Sequence, residues 1–189
     1  MLQYGMLAGF ISFSIVLALF VIRIVSRGIS IVARPPINPL AFVTAKLCAF
    51  SSCFFIPAGI IRPELKWYEA PEWLGLTALL PFFSGIVIAA VAMKKLGDDL
   101  IFGLPEGSIS SLKTDGIFRF SRNPLYLGFI LLILSSCLIT PNPFNFAAAI
   151  IAILIHHRII LQEENYLLSR LGDRYKDYMK ATGRYLLRI

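Results

Sequence analysis

From Leu2 to Ile22 the chain carries no charged residue. At about 1.5 Å per helical residue this run reaches about 30 Å, the thickness of a hydrocarbon core, and predicts a membrane-spanning helix. A secretory signal would place a base ahead of a shorter apolar run and end in a small-residue cleavage site; Met1–Tyr4 holds no base and the run is too long, so the segment reads as a retained anchor. Four more apolar stretches follow. Pro39–Ile61 is interrupted only by Lys46 and is expected to kink near Pro57; Leu74–Met93 is closed by Lys94 and Lys95. Leu125–Ile139 and Phe144–Leu161 flank Thr140-Pro141-Asn142-Pro143, whose prolines cannot continue a helix, so these two form a hairpin. The first of the pair is only about 22 Å long, thin for a full crossing. The fold expected is an all-α polytopic membrane bundle of about five helices with an amphipathic helical tail. It forms one membrane domain, with three spans in 1–93 and a loop, hairpin and tail in 94–189.

Charge gives the bundle an orientation. Arg23, Arg27 and Arg34 follow the first span, whereas Arg62 and Lys66 follow the second, diluted by Glu64, Glu69 and Glu72. Lys94, Lys95, Lys113, Arg119 and Arg122 follow the third, none lies in the 140–143 turn, and the tail holds Arg170, Arg174, Lys176, Lys180, Arg184 and Arg188. Bases alternate rich and poor, which by the positive-inside rule puts the N-terminus outside and the C-terminus in the cytoplasm. Lys46 lies about 10 Å into its helix from the cytoplasmic start and can snorkel. Two polar segments are then cytoplasmic. One is the loop 94–124, with Gly97, Gly103, Pro105, Gly107 and Gly116. The other is the tail from about Glu163, where Leu167, Leu171, Tyr175 and Tyr178 recur at helical spacing. Gly172-Asp173 interrupts that pattern as a C-cap followed by an N-cap, predicting two short helices.

Composition narrows the class. Apolar residues make up 57% and charged residues 15% of 189 residues, outside the range of an ordinary soluble domain. The net charge of +7 raises nucleic acid as a partner, but the bases sit beside membrane segments, where anionic lipid is the simpler attraction. No protein partner is evident. Cys48, Cys53 and Cys137 lie in apolar segments, fit no metal spacing and read as packing residues.

Polar residues at the edge of a membrane bundle are functional candidates. Arg122-Asn123-Pro124-Leu125-Tyr126 opens the fourth apolar stretch, with Asn123 at the N-cap and Pro124 as first helical residue. Free backbone N–H groups and a positive dipole end beside Arg122 suit an anion. His156, His157, Arg158, Glu163 and Glu164 leave the fifth stretch on the same side, and the hairpin makes the two clusters neighbours. Together they point to a polar, charged ligand; spacing and ligand number do not support a metal.

The run Thr114-Asp115-Gly116-Ile117-Phe118-Arg119-Phe120-Ser121-Arg122-Asn123-Pro124-Leu125-Tyr126-Leu127-Gly128, followed by Glu163-Glu164 and Leu171-Gly172-Asp173-Arg174-Tyr175-Lys176-Asp177-Tyr178, resembles the isoprenylcysteine carboxyl methyltransferase and phospholipid methyltransferase families of membrane enzymes. The resemblance implies S-adenosylmethionine as cofactor and a lipophilic acceptor. It implies backbone contacts from Leu112 and Lys113, flanking faces from Phe118 and Tyr126, a loop of Asn123, Pro124 and Leu125 against the cofactor, and a hydrogen bond from Glu163. Arg122 and the helix end suit the methionine carboxylate. For an acceptor that must lose a proton, His156, His157 and Glu164 are the nearby candidates. The chain departs from the family pattern in three places. The motif's usual His is Asn123; the substrate-side arginine falls at Ile159, with Arg158 adjacent but turned about 100° away on a helix; and Arg184-Tyr185-Leu186-Leu187 lacks the tail's proline. Carboxyl methylation of a prenylated protein is therefore not implied. A membrane reductase of the sterol-reductase kind using NADPH, and a non-enzymatic scaffold or transporter, are the alternatives.

Overall fold

The computed structural model describes residues 2–29, 32–69, 71–104 and 112–186. Pro105 and Gly107 of the expected cytoplasmic loop, and Leu187 and Arg188 of the tail, lie outside the described residues. Among the described residues seven α-helices run in the order α1 (Leu2–Ser26), α2 (Pro39–Ile61), α3 (Glu72–Thr77), α4 (Leu79–Leu96), α5 (Pro124–Ile139), α6 (Pro143–Leu171) and α7 (Asp173–Ala181). Short 3₁₀ turns occupy Pro63–Leu65, Gly97–Asp99 and Gly116–Arg119.

Four segments, Tyr4–Ser26, Pro39–Ile61, Trp73–Asp99 and Pro143–Leu171, are long and apolar enough to cross a membrane; α5 is shorter, at 16 residues. The third apolar stretch, expected as one helix, is broken at Ala78. Pro81 explains the break: it has no N–H for the Thr77 carbonyl, and its ring crowds that turn. The Ser135 hydroxyl donates to the Ala78 carbonyl at 2.9 Å, tying the break to α5. Conversely, α2 runs unbroken through Pro57. The last stretch is longer than expected. The fifth apolar segment and the first expected tail helix form one continuous α6 of 29 residues, about 43 Å, so its far end outruns a hydrocarbon core. Gly172, at φ +56°, ends α6 and also precedes α7, so Asp173 is the first residue of α7 rather than its cap.

Close packing of α4 on α5 depends on two small residues. A Cβ at Gly128 would lie 2.8 Å from the Gly85 carbonyl, and one at Gly85 would lie 2.9 Å from the Gly128 carbonyl. Small residues at such contacts let membrane helices approach. At the hairpin-turn end, α2, α5 and α6 share a buried polar network. Ser52 donates to Asn145 Oδ1 at 2.7 Å and lies 2.9 Å from the Ser136 hydroxyl. Asn145 Nδ2 donates to the Thr140 carbonyl at 3.1 Å, and the Thr140 hydroxyl to the Phe55 carbonyl at 2.7 Å. That lock leaves the opposite end of the hairpin free to build a site.

Candidate active site

At that opposite end a cavity of about 330 Å³ is enclosed by the N-terminus of α5, the far end of α6, α7 and the loop after α4. It brings together Leu112, Lys113, Phe118, Arg122, Asn123, Pro124, Leu125, Tyr126 and Glu163, every residue read from sequence as cofactor-facing. Its roof is Ile101–Leu104. This segment is held because Ala33 donates to the Phe102 carbonyl at 3.0 Å and Leu104 to the Arg34 carbonyl at 2.9 Å, joining the loop after α1 to the loop after α4. Gly103 permits it: φ is +106°, and a Cβ would lie 2.7 Å from the Arg34 carbonyl.

The paired glutamates have separate environments because neighbouring helical residues point about 100° apart. Glu163 faces the cavity. Its Oε1 accepts from the Tyr126 hydroxyl at 2.9 Å, and the Gly103 amide also donates to it. Glu164 is 3% exposed and turned toward the tail. It accepts from Arg122 Nε at 3.1 Å and Nη2 at 3.2 Å, from Asn123 Nδ2 at 2.9 Å and from Arg184 Nε at 2.9 Å. Arg122 also donates to the Met179 and Thr182 carbonyls at 3.2 and 2.5 Å and hydrogen-bonds Tyr175. Arg122 lines the cavity, but every nitrogen of its guanidinium already has a partner. Asn123 stands at the N-cap position before Pro124, yet its side chain turns to Glu164 and makes no cap, so the first amides of α5 keep no side-chain partner.

The cavity's outer wall is tyrosine. Tyr175 is 1% exposed, and the Tyr178 hydroxyl donates to the Phe118 carbonyl at 2.6 Å. Burial pushes both phenols above their ordinary range, so both remain hydrogen-bond donors at neutral pH. Lys113 pairs with Asp99 at 3.1 Å at the mouth. Lys95 pairs with Asp115, whose carboxyl that contact holds below the usual carboxylate range.

The residues read as acceptor-side chemistry are spread out. His157 Nδ1 is 2.7 Å from the Tyr185 hydroxyl, and Arg158 is exposed; neither lines this cavity. Ile159 is fully buried against Phe42 and Ala45. Lys46 does not snorkel. Its Nζ turns inward to His156 Nε2 at 3.3 Å and lies 4.6 Å from the Phe102 ring centroid and 5.4 Å from that of Tyr126. Phe102 and Tyr166 carry no signal in the sequence and Gly103 only that of a loop glycine, because only the pairing of the 32–34 and 102–104 segments and the path of α6 place them at the cavity. Lys46 reads in the sequence as a snorkelling charge within an apolar run, not as a site residue.

A second cavity, about 820 Å³ and mostly apolar, lies between α1, α2, α5 and α6. Phe102 and Tyr126 line both cavities and separate them.

A family model described as phospholipid methyltransferase matches residues 73–174, from α3 into α7. The chain belongs to the phospholipid methyltransferase family. Relatives within reach of sequence include the protein-S-isoprenylcysteine O-methyltransferase of Dictyostelium discoideum, 27% identical over 127 residues, which cover 62% of this chain and 52% of that protein. Methanethiol S-methyltransferase 1 of Bradyrhizobium diazoefficiens is 28% identical over 130 residues, 64% of this chain and 45% of that protein. The chain thus spans about half the length of the curated relatives it matches. Its fold is similar to that of the eukaryotic intramembrane Ras methyltransferase, isoprenylcysteine carboxyl methyltransferase, with a TM-score of 0.61 at 21% identity over 98% of this chain and 67% of that one. Like that neighbour, this family member is an integral membrane protein of α-helices.

Proposed function

We propose that the chain transfers a methyl group from S-adenosylmethionine to a lipophilic acceptor, with the donor in the 330 Å³ cavity and the acceptor entering from the bilayer. The shared wall carries this reading. A sulfonium methyl lodged against Tyr126 and Phe102 has a polar enclosure behind it and an apolar cavity ahead of it. Methyl transfer from a sulfonium is an in-line displacement, so alignment and exclusion of water are what the site must supply.

The residues divide the cofactor by chemistry. The uncapped amides of α5, after Asn123 and Pro124, suit the methionine carboxylate, with Arg122, held by Glu164, positioning that loop. Glu163 suits the ammonium or the ribose hydroxyls. Phe118 and Tyr126 offer faces to the adenine and sulfonium, and Leu112, Lys113 and Leu125 close the sides. Glu164 is assigned a positioning role, since its lone pairs serve Arg122, Asn123 and Arg184. Neither His157, bonded to Tyr185, nor Arg158, exposed on α6, lines either cavity, so neither is assigned a part in the transfer. The alternation of bases supports a cytoplasmic position for this end of the bundle, with the N-terminus outside.

An NADPH site is less well supported. A 2′-phosphate calls for spare bases, whereas Lys113 is paired with Asp99 and Arg122 with Glu164. Calorimetric titration of detergent-purified protein separates the two cofactors. Saturable binding of S-adenosylhomocysteine without binding of NADPH is expected; the reverse would overturn the proposal.

A further inference from the structure

The 820 Å³ cavity has one formal charge among the described residues that line it, Lys46. The ammonium is set in place rather than left loose. His156 Nδ1 lies 2.7 Å from the Ala152 carbonyl, which can only accept, so Nδ1 carries the proton and Nε2 presents a lone pair to Lys46 at 3.3 Å. Aromatic rings of Phe42, Phe102 and Tyr126 surround Nζ, with centroids 5.1, 4.6 and 5.4 Å away. Among the described residues no carboxylate stands within ion-pair distance of it: Glu164 and Asp99 each have a basic partner, and Glu163, which acts on the ammonium electrostatically from across the Tyr126 wall, accepts with its Oε1 from the Tyr126 hydroxyl. A membrane-embedded cation held this way, beside the wall that both cavities share, has no counter-ion among the described residues lining its own cavity. Val25 and Phe50, exposed on the lipid side, line the same cavity and give it an approach from the bilayer.

We propose that this cavity takes the acceptor as an ionised lipophilic acid (a thiolate, carboxylate or phenolate on an apolar body), with Lys46 as its counter-ion and His156 holding the ammonium. The inference rests on the methyl-transfer reading above. An amine acceptor is disfavoured, since its ammonium form would meet a like charge and find no carboxylate lining the cavity. The step balances without a base from the protein. The acid releases its proton to water on binding, and Lys46 stays an ammonium. The anion forms a bond to the methyl carbon as the carbon–sulfur bond breaks. The electron pair returns to sulfur, leaving neutral S-adenosylhomocysteine and a neutral methylated product. Loss of charge frees that product from Lys46.

The test uses the detergent-purified chain, labelled S-adenosylmethionine and four probes: dodecanethiol, dodecanoic acid, 4-nonylphenol and dodecylamine. At least one acid probe is expected to take the label in preference to the amine, and which one does so names the source. Lys46→Met is expected to raise KM for that acid by about tenfold or more, the loss of one charge-assisted contact. It should change S-adenosylhomocysteine binding far less than the acceptor KM, and Lys46→Arg should recover most of the KM. Preference for dodecylamine, no label in any acid probe while S-adenosylhomocysteine binds, or an unchanged KM in Lys46→Met would overturn the inference. The wild-type preference among probes decides the matter even if Lys46→Met does not fold. Failure of the wild type to bind S-adenosylhomocysteine would instead remove the methyl-transfer reading on which the inference stands.

Discussion

Replacing Glu164 with alanine is expected to destabilise the protein by about 3–5 kcal/mol, the cost of leaving a buried charge without its partner. Arg122, 7% exposed in its side chain, would keep only carbonyl partners and Tyr175, and Asn123 and Arg184 would lose the acceptor that draws them together. The damage should be local as well as global. Arg122 and Asn123 also donate backbone N–H groups to the Gly183 and Arg184 carbonyls at 2.9 and 3.2 Å, so the clamp holds the segment after α7 against the start of α5. A fall in melting temperature of about 10 °C is expected for a chain of this size, together with faster proteolysis beyond Gly172. Arg184→Ala, which removes a partner that is one-third exposed, should cost much less. Thermal unfolding and limited proteolysis in detergent check both, and a Glu164→Ala variant that melts with the wild type would contradict the clamp.

The neighbouring substitution should act on binding instead. Glu163→Ala is expected to weaken S-adenosylhomocysteine by about 10- to 100-fold, the worth of a hydrogen bond to a charged group, with a small change in melting temperature. The carboxylate faces the cavity and restrains the Tyr126 hydroxyl at 2.9 Å, so on the proposed reading its loss removes one ligand contact and loosens another. Glu163→Gln keeps the length and an acceptor oxygen and should lose less. Titration of each variant by calorimetry gives the ratio directly. Equal affinity in wild type and Glu163→Ala would remove Glu163 from the cofactor site.

These two outcomes show how far the sequence could be read. Charge-free runs and the proline turn identify the membrane helices, because the bilayer allows few other uses for such runs. Local pattern says less where a later residue decides the matter. Pro81 breaks the third apolar stretch from three positions beyond Ala78, and nothing between Leu161 and Glu163 stops α6, so span and tail helix fuse. At the site, the hairpin turn was enough to bring Arg122–Tyr126 beside Glu163. What a linear reading does not resolve is the direction of each side chain. Asn123 has the identity and position of a cap but is drawn to Glu164, and the two glutamates, identical in sequence context, face a cavity and a clamp. Lys46, 110 positions from His156, meets it only through the packing of α2 on α6.

The central claim is that this membrane protein moves a methyl group from S-adenosylmethionine to a lipophilic molecule. Its most direct test is to incubate the purified chain with S-adenosylmethionine labelled in the methyl group and an extract of its native membranes. The label is then followed into the organic phase. The account predicts a labelled lipophilic product whose formation depends on the protein and is lost in Glu163→Ala. Label that stays wholly in the aqueous phase, from protein shown to be folded, would contradict it.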